Sequence, residues 1–314
     1  MQPCLIQIGR LAPQLEAALA SEFEIYPLWK ENDAPAFIAA HAGRINGIVT
    51  SARAGADRAL IEALPSLKLI ANFGVGYDTV DVAAARERGV VVSNTPDVLN
   101  DCVADTAFAL ILDVTRSISA ADRFVRRGEW KRGASFPLAV RVTGKNLGIV
   151  GLGRIGQAIA RRSAGFGMPV RYHTRRPMAG MPWAHEPSLL ELARWADILV
   201  VACAGGQGTR HLVSKEVLDA LGPKGYIVNI SRGTVIDEAA MVEALAARRI
   251  AGAGIDVFEN EPHVPDALLE LDNVVLLPHI GSGTHETRAA MGELVLANIR
   301  SFYSDGRLLT PVQY

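Results

Sequence analysis

Between two short apolar runs, KNLGIV at residues 145–150 and PVRYHT at 169–174, the chain reads Gly151-Leu152-Gly153-Arg154-Ile155-Gly156 and then QAIARRSAGF. A strand, a glycine-rich turn, a helix and a second strand form a βαβ unit, which requires a parallel sheet. Gly151 permits the tight turn, Gly153 lets the backbone approach a pyrophosphate, and Gly156 lets helix and strand pack closely. The first helical N–H groups, around Arg154 and Ile155, face the anion. A bare glycine turn can be purely structural; set between two strands at this spacing, it points to a dinucleotide.

An NAD-specific site usually has an acidic residue about 20 positions on, to accept from the ribose 2′-hydroxyl. Here that place holds His173-Thr174-Arg175-Arg176. A carboxylate would repel a 2′-phosphate, whereas two guanidinium groups and a hydroxyl bind it through charge-assisted bonds. NADP(H) is therefore expected in preference to NAD(H), which would bind more weakly. The bland alternative is that both arginines are solvated loop residues.

At 314 residues the chain is long for one core and suits two domains. Before the glycine motif, CLIQIG, EFEIYPL, RINGIVTS, LKLIANF and GVVVSN alternate with Ala-rich helical patterns, a first βα series with a parallel sheet. The turn after LKLIANF, with Gly74, Gly76 and Asp78, lies where ligands of such sheets gather. A second series, KNLGIVG, PVRYHT, ADILVVAC, GYIVNIS, GAGIDV and NVVLLP, reads as strands buried on both faces. Between the series, an amphipathic stretch from Asn100 to about Arg127 would be roughly 40 Å long if continuous, enough to bridge two domains. A final helix from about His285 to Tyr303 leads to LLTPVQY, with no strand of its own series to feed, so it is expected to return to the first domain.

Charge narrows the partners. With 32 basic and 33 acidic residues intermixed, the net charge of −1 gives no overall field for nucleic acid or anionic lipid. The local basic cluster of Arg126, Arg127, Lys131 and Arg132 around Trp130 reads equally as a solvated helix end. Three widely separated cysteines lack metal or redox spacing, which suits a reducing cytoplasm. The MQPCLIQIGR start reads as a buried strand rather than a signal peptide. The longest apolar helical pattern carries Asp105, Asp113, Arg116 and Asp122, so no membrane span is expected.

Three later segments end strands with reactive residues: NISRGTVIDE, GIDVFENEP and LLPHIGSGT. Hydride transfer to a keto acid needs a cation to hold the carboxylate and polarise the carbonyl, an acid to protonate the emerging alkoxide, and a group to tune that acid. Arg232, with its planar always-charged fork, suits the first role. His279, which gives or takes a proton near neutrality, suits the second. Glu261, on the other imidazole nitrogen, suits the third. No metal is needed. Taken singly, however, a histidine after an apolar strand is more often structural, and a lone Arg or Glu is usually a surface charge.

At these residues the sequence resembles the D-isomer-specific 2-hydroxyacid dehydrogenases, particularly their glyoxylate/hydroxypyruvate reductase branch. The resemblance rests on FGVGYDTVD, NTPDVLNDCVADTA, RRGEWKRG, GLGRIGQAIA, NISRGTVIDE, GAGIDVFENEP and LLPHIGSGT, in the family's order across nearly the whole chain. It implies an α/β fold of two Rossmann-like domains with parallel sheets. The cofactor domain, 99–286, would be inserted into a flavodoxin-like substrate domain, 1–98 and 287–314. It implies Arg232 as substrate anchor, His279 as acid/base and Glu261 as its partner. It further implies that backbone N–H groups of Val75 and Gly76 bind the substrate carboxylate, that Ser282 lies beside it, and that Asp256 contacts the nicotinamide carboxamide. Other cofactor contacts would come from Ala202, Cys203, Thr209, Ile230, Ser231, Arg232, His279 and Gly281. Trp130, by itself a packing residue, resembles the tryptophan that projects into a neighbouring subunit's site, which implies a functional homodimer. One departure is Ala202-Cys203-Ala204-Gly205-Gly206-Gln207-Gly208-Thr209, where many relatives carry a Pro-Leu-Thr-Pro-type loop.

The activity so implied is NADPH-dependent reduction of glyoxylate or hydroxypyruvate to the D-2-hydroxy acid. Rival readings are a dehydrogenase for a larger acid, of D-3-phosphoglycerate or 2-ketogluconate type, and a dinucleotide-sensing protein like the corepressors that share this fold. The intact trio weighs against the latter.

Overall fold

The computed structural model describes residues 3–313; Met1, Gln2 and Tyr314, which belong to the first and last segments read above, lie outside them. The chain divides into two compact units, Met1–Leu99 with Gly283–Tyr314, and Asn100–Ser282.

In the first unit, β1 (Cys4–Gln7), β2 (Glu24–Pro27), β3 (Gly47–Ser51), β4 (Leu69–Phe73) and β5 (Val91–Ser93) form one sheet in the order β2-β1-β3-β4-β5. Every pairing is parallel. This is the flavodoxin-like order, whose reversal at β1 and β3 opens a ligand crevice at the strands' carboxyl ends. Ile6, Ile48, Ile70 and Val92 bury against Ile45 and Ile61. Aspartates cap three of the connecting helices: Asp33, Asp57 and Asp81 accept from Ala36, Leu60 and Ala84 N–H groups.

The closing helix, His285–Asp305, belongs to this unit. The Tyr303 hydroxyl donates to Asn46 Oδ1 at 2.6 Å, and Arg300 pairs with Glu22. Asn298, fully buried, accepts from the N–H groups of Leu309 and Thr310, both at 3.0 Å. The last segment then reaches β5, where Val312 N–H donates to Val92.

The second unit holds β6 (Leu147–Val150), β7 (Val170–His173), β8 (Ala184–His185), β9 (Ile198–Val201), β10 (Tyr226–Asn229), β11 (Gly252–Ile255) and β12 (Val274–Leu276). Their order is β12-β11-β10-β9-β6-β7-β8, all parallel, a Rossmann-like sheet that reverses between β6 and β9. Two features differ from the sequence reading. The strand β8 has no apolar run to mark it, and β7 and β12 are only half-buried because they lie toward the sheet's edges.

The stretch from Asn100 is also not one helix. It runs Asn100–Arg116, about 26 Å, breaks at Ser117 in a left-handed conformation (φ 54°), and resumes as Ile118–Arg126. Asp113 fixes the break, accepting from the Ser119 N–H at 2.8 Å and from its hydroxyl. The first segment buries Ala107, Leu110, Ile111 and Val114 on the sheet side, where a Cβ on Gly254 of β11 would lie 2.9 Å from Leu110 Cβ. Among the described residues, no helix is long and apolar enough to cross a membrane.

Candidate active site

The three motif glycines meet three different constraints. Gly151 follows β6 with φ 95°, and a Cβ there would lie 2.5 Å from Cys203 Cα. A Cβ on Gly156 would lie 2.2 Å from the Gly151 carbonyl oxygen, so turn and helix touch through backbone. Gly153, the N-cap of the helix Arg154–Ser163, is the opposite case: a Cβ would meet no protein atom within 4 Å. No side chain caps this helix. Open space in front of an uncapped ten-residue helix fits a pyrophosphate.

At the end of β7, the His173 ring bonds the Glu186 carbonyl at 2.9 Å, and the Thr174 hydroxyl donates to the Arg176 carbonyl at 2.7 Å. Arg175 and Arg176 are exposed, and neither has an ion-pair partner among the described residues. Their charge is thus available to a 2′-phosphate. After β9, Ala202 N–H continues the ladder to Val150. The Cys203 carbonyl accepts from the Ser231 hydroxyl, and burial pushes the Cys203 thiol up to about 11. The divergent loop closes on itself, since the Thr209 hydroxyl donates to the carbonyls of Ala204 (2.8 Å) and Gly206 (3.2 Å).

Arg232, Glu261 and His279 follow β10, β11 and β12, three neighbouring strands, at their carboxyl ends. His279 Nδ1 lies 2.8 Å from Glu261 Oε2 and 3.0 Å from Oε1, and Oε1 also accepts from the Phe258 N–H at 3.2 Å. Nε2 has no hydrogen-bond partner among the described residues. Asn229 organises the turn before Arg232, its amide donating to the Arg232 carbonyl and its oxygen accepting from Ser231 N–H, after Ile230. Arg232 Nη1 donates to the Ser231 carbonyl at 2.8 Å. Asp256 follows β11 directly and is only 1% exposed; its two oxygens accept from Ile280 N–H (2.7 Å) and Gly281 N–H (2.8 Å). Burial pushes this carboxyl above its ordinary range, against the pull of those N–H groups and of His279.

Residues 108–281 match the family described as D-isomer specific 2-hydroxyacid dehydrogenase, NAD binding domain. The chain belongs to the D-isomer-specific 2-hydroxyacid dehydrogenases. Among its relatives, a hydroxyphenylpyruvate reductase of Plectranthus scutellarioides is 47% identical over 302 residues, 96% of each chain. A glyoxylate/hydroxypyruvate reductase of Arabidopsis thaliana is 45% identical over the same length and coverage. A solved structure, an NADPH-dependent glyoxylate/hydroxypyruvate reductase from Sinorhizobium meliloti in complex with NADP and malonate, is 45% identical with a TM-score of 0.94. The match covers 99% of this chain and 97% of that one.

In this 2-hydroxyacid dehydrogenase the remaining expected site residues lie in both units. In the first unit, Asn72 and Asn94 amides hold the carbonyls of Gly76 and Val75, each at 2.9 Å. The N–H groups of Val75 and Gly76 donate to no acceptor among the described residues, so the turn presents two free donors. Ser282 is half-buried. Trp130 opens a short turn, Trp130–Arg132, and is 68% exposed, which excludes the packing role it would have had in isolation. Around it, Arg126 pairs with Asp122 and Arg127 with Glu129, as in a solvated helix end. What residue types alone did not reveal is the backbone around the histidine: His279 is left-handed (φ 55°), and the Asp256 bonds to the next two amides span 24 and 25 positions.

Proposed function

We propose that this dehydrogenase reduces a small 2-keto acid, glyoxylate or hydroxypyruvate, to the D-2-hydroxy acid with NADPH. The observation that carries the reading is the asymmetry of His279: Nδ1 is held by both Glu261 oxygens, while Nε2 is left open. A proton donor needs that arrangement, one nitrogen anchored and the other directed at the substrate.

Bound, the dinucleotide supplies the hydride. Gly151, Gly153, Arg154, Ile155 and Gly156 hold its pyrophosphate, and His173, Thr174, Arg175 and Arg176 its 2′-phosphate. Ala202, Cys203, Thr209, Ile230, Ser231 and Gly281 complete its contacts. Arg232 binds the substrate carboxylate and polarises the carbonyl, with help from the Val75 and Gly76 N–H groups and from Ser282. His279 protonates the carbonyl oxygen, and Glu261 stabilises the ring when it is charged. The arginine pair supports NADPH, as does the cofactor named for the Sinorhizobium reductase. Exposed Ile118, Val125, Trp130 and Leu138 support a homodimer in which Trp130 serves the neighbouring site.

A second reading, reduction of a larger aromatic keto acid, is favoured by the 47% identity to the hydroxyphenylpyruvate reductase. NADPH oxidation over a panel of 2-keto acids separates the two. The highest kcat/KM is expected on glyoxylate or hydroxypyruvate; a higher value on hydroxyphenylpyruvate or a 2-ketogluconate-type acid overturns the small-acid assignment.

A further inference from the structure

We infer that Asp256 is a positioning residue which holds the backbone at His279 in its left-handed conformation and so sets the direction of Nε2. The inference rests on the reading of His279 as the proton donor.

The φ of 55° at His279 is a region that side chains other than glycine enter at a cost, because Cβ crowds the neighbouring carbonyl. Such a conformation persists only where its surroundings enforce it. The enforcing contact is on the two residues that follow. The N–H groups of Ile280 and Gly281 converge on one carboxylate, one to each oxygen, at 2.7 and 2.8 Å, the range of charge-assisted bonds. The carboxylate is itself enclosed: Asp256 is buried, and its own N–H donates to the Asn229 carbonyl at 3.0 Å. A Cβ on Gly281 would come within 2.9 Å of Oδ2, so a side chain there would push the carboxylate aside. On its other side, the Gly281 carbonyl accepts from the Thr106 hydroxyl at 3.3 Å.

The identity of the residue follows from its task. Two convergent N–H donors need two acceptors and no donor, which a carboxylate provides and a carboxamide does not. That need explains why an acid occupies a site whose burial disfavours its charge. Both oxygens point at backbone, and neither bonds the imidazole. The ring is therefore fixed at two places by two acids, Glu261 gripping Nδ1 and Asp256 gripping the chain beyond it. In an extended or right-handed backbone the Cα–Cβ bond would leave in another direction, and Nδ1 would lose Glu261.

Asp256→Asn and Asp256→Ala in the full chain test this, with kcat, the KM of the keto acid, the Kd of NADPH by fluorescence titration, and Tm measured for each. Asp256→Ala is expected to lower kcat about 100-fold, the scale of a misplaced reacting group. Asp256→Asn, which keeps one acceptor, should fall between it and the parent. The Kd of NADPH should change far less than kcat, by about tenfold at most, 1.4 kcal/mol, with the expected nicotinamide carboxamide contact included. A loss confined to NADPH affinity would instead make Asp256 a nicotinamide contact and overturn the inference, as would a near-parental kcat in either variant. If Asp256→Ala does not fold, Asp256→Asn carries the test, expected to lower kcat by far more than it weakens NADPH binding. His279→Ala is the control. If it turns over normally, the proton-donor reading falls; if it is inactive while the Asp256 variants are normal, only the present inference falls.

Discussion

A methyl group on Gly233 would lie 1.9 Å from the carbonyl carbon of Phe258. Gly233 immediately follows Arg232, and the Phe258 N–H donates to Glu261, so this one backbone contact sets the spacing between two of the three proposed functional side chains. Gly233→Ala is expected to force the two segments apart. Overpacking should cost about 1–3 kcal/mol of stability, and misplacement should lower kcat/KM about 100-fold. Steady-state kinetics beside a denaturant melt check both; a folded variant with parental kcat/KM would show that the spacing does not matter.

The exposed arginines beyond β7 give a prediction about cofactor choice. Replacing Arg175 and Arg176 by alanine should lower kcat/KM with NADPH about tenfold or more for each charge-assisted bond to the 2′-phosphate that is removed. The value with NADH should change far less. Equal losses with both cofactors would place the arginines away from the 2′-phosphate.

The Cys203 thiol offers a pH-dependent readout. Its folded value of about 11 stands above an ordinary 9, so at pH 8 the thiolate is about 100-fold scarcer in the folded chain than in the unfolded one. Alkylation of Cys203 should slow by that order relative to urea-unfolded protein, measured by peptide mass spectrometry. A thiol whose folded value is raised favours the folded state until the pH passes the unfolded value, and that contribution is lost as pH climbs from about 9 toward 11. Comparable labelling rates in the two states would contradict the burial.

Asn298 predicts a structural effect away from the chemistry. Its oxygen accepts from two backbone N–H groups, and its amide donates to the Leu294 carbonyl and the Thr310 hydroxyl, both within 3 Å. Asn298→Ala should destabilise the first unit by about 1–3 kcal/mol through loss of its hydrogen bonds to part-buried groups. Hydrogen exchange at Leu309 and Thr310 should rise with it; unaltered exchange there would show that the contact does not pin the last segment.

Much of this architecture is legible in the sequence because it is periodic or compositional. Near-continuous apolar runs identify every strand but β8, whose WAHE surroundings carry no such run. The glycine motif and the types of Arg232, Glu261 and His279 identify the chemistry, since few side chains can hold a carboxylate or move a proton near neutrality. The break at Ser117 is not legible, for neither glycine nor proline marks it, and the cause is a side-chain bond from Asp113. Nor is the Asp256 brace, because backbone N–H groups are the same in every sequence and their convergence on one carboxylate is a tertiary event. The Thr209 hydroxyl, expected to serve the cofactor, also closes its own loop.

The open space in front of Gly153 separates it from the other two glycines of its motif in what a mutational record would show. Alanine at Gly151 or Gly156 collides with backbone, and any screen for folded protein would reject it. Alanine at Gly153 collides with nothing in the protein itself and should pass that screen. Only a screen that demands occupancy by the dinucleotide would remove it, so a comparison of the two screens at this single position would distinguish selection for the fold from selection for its ligand.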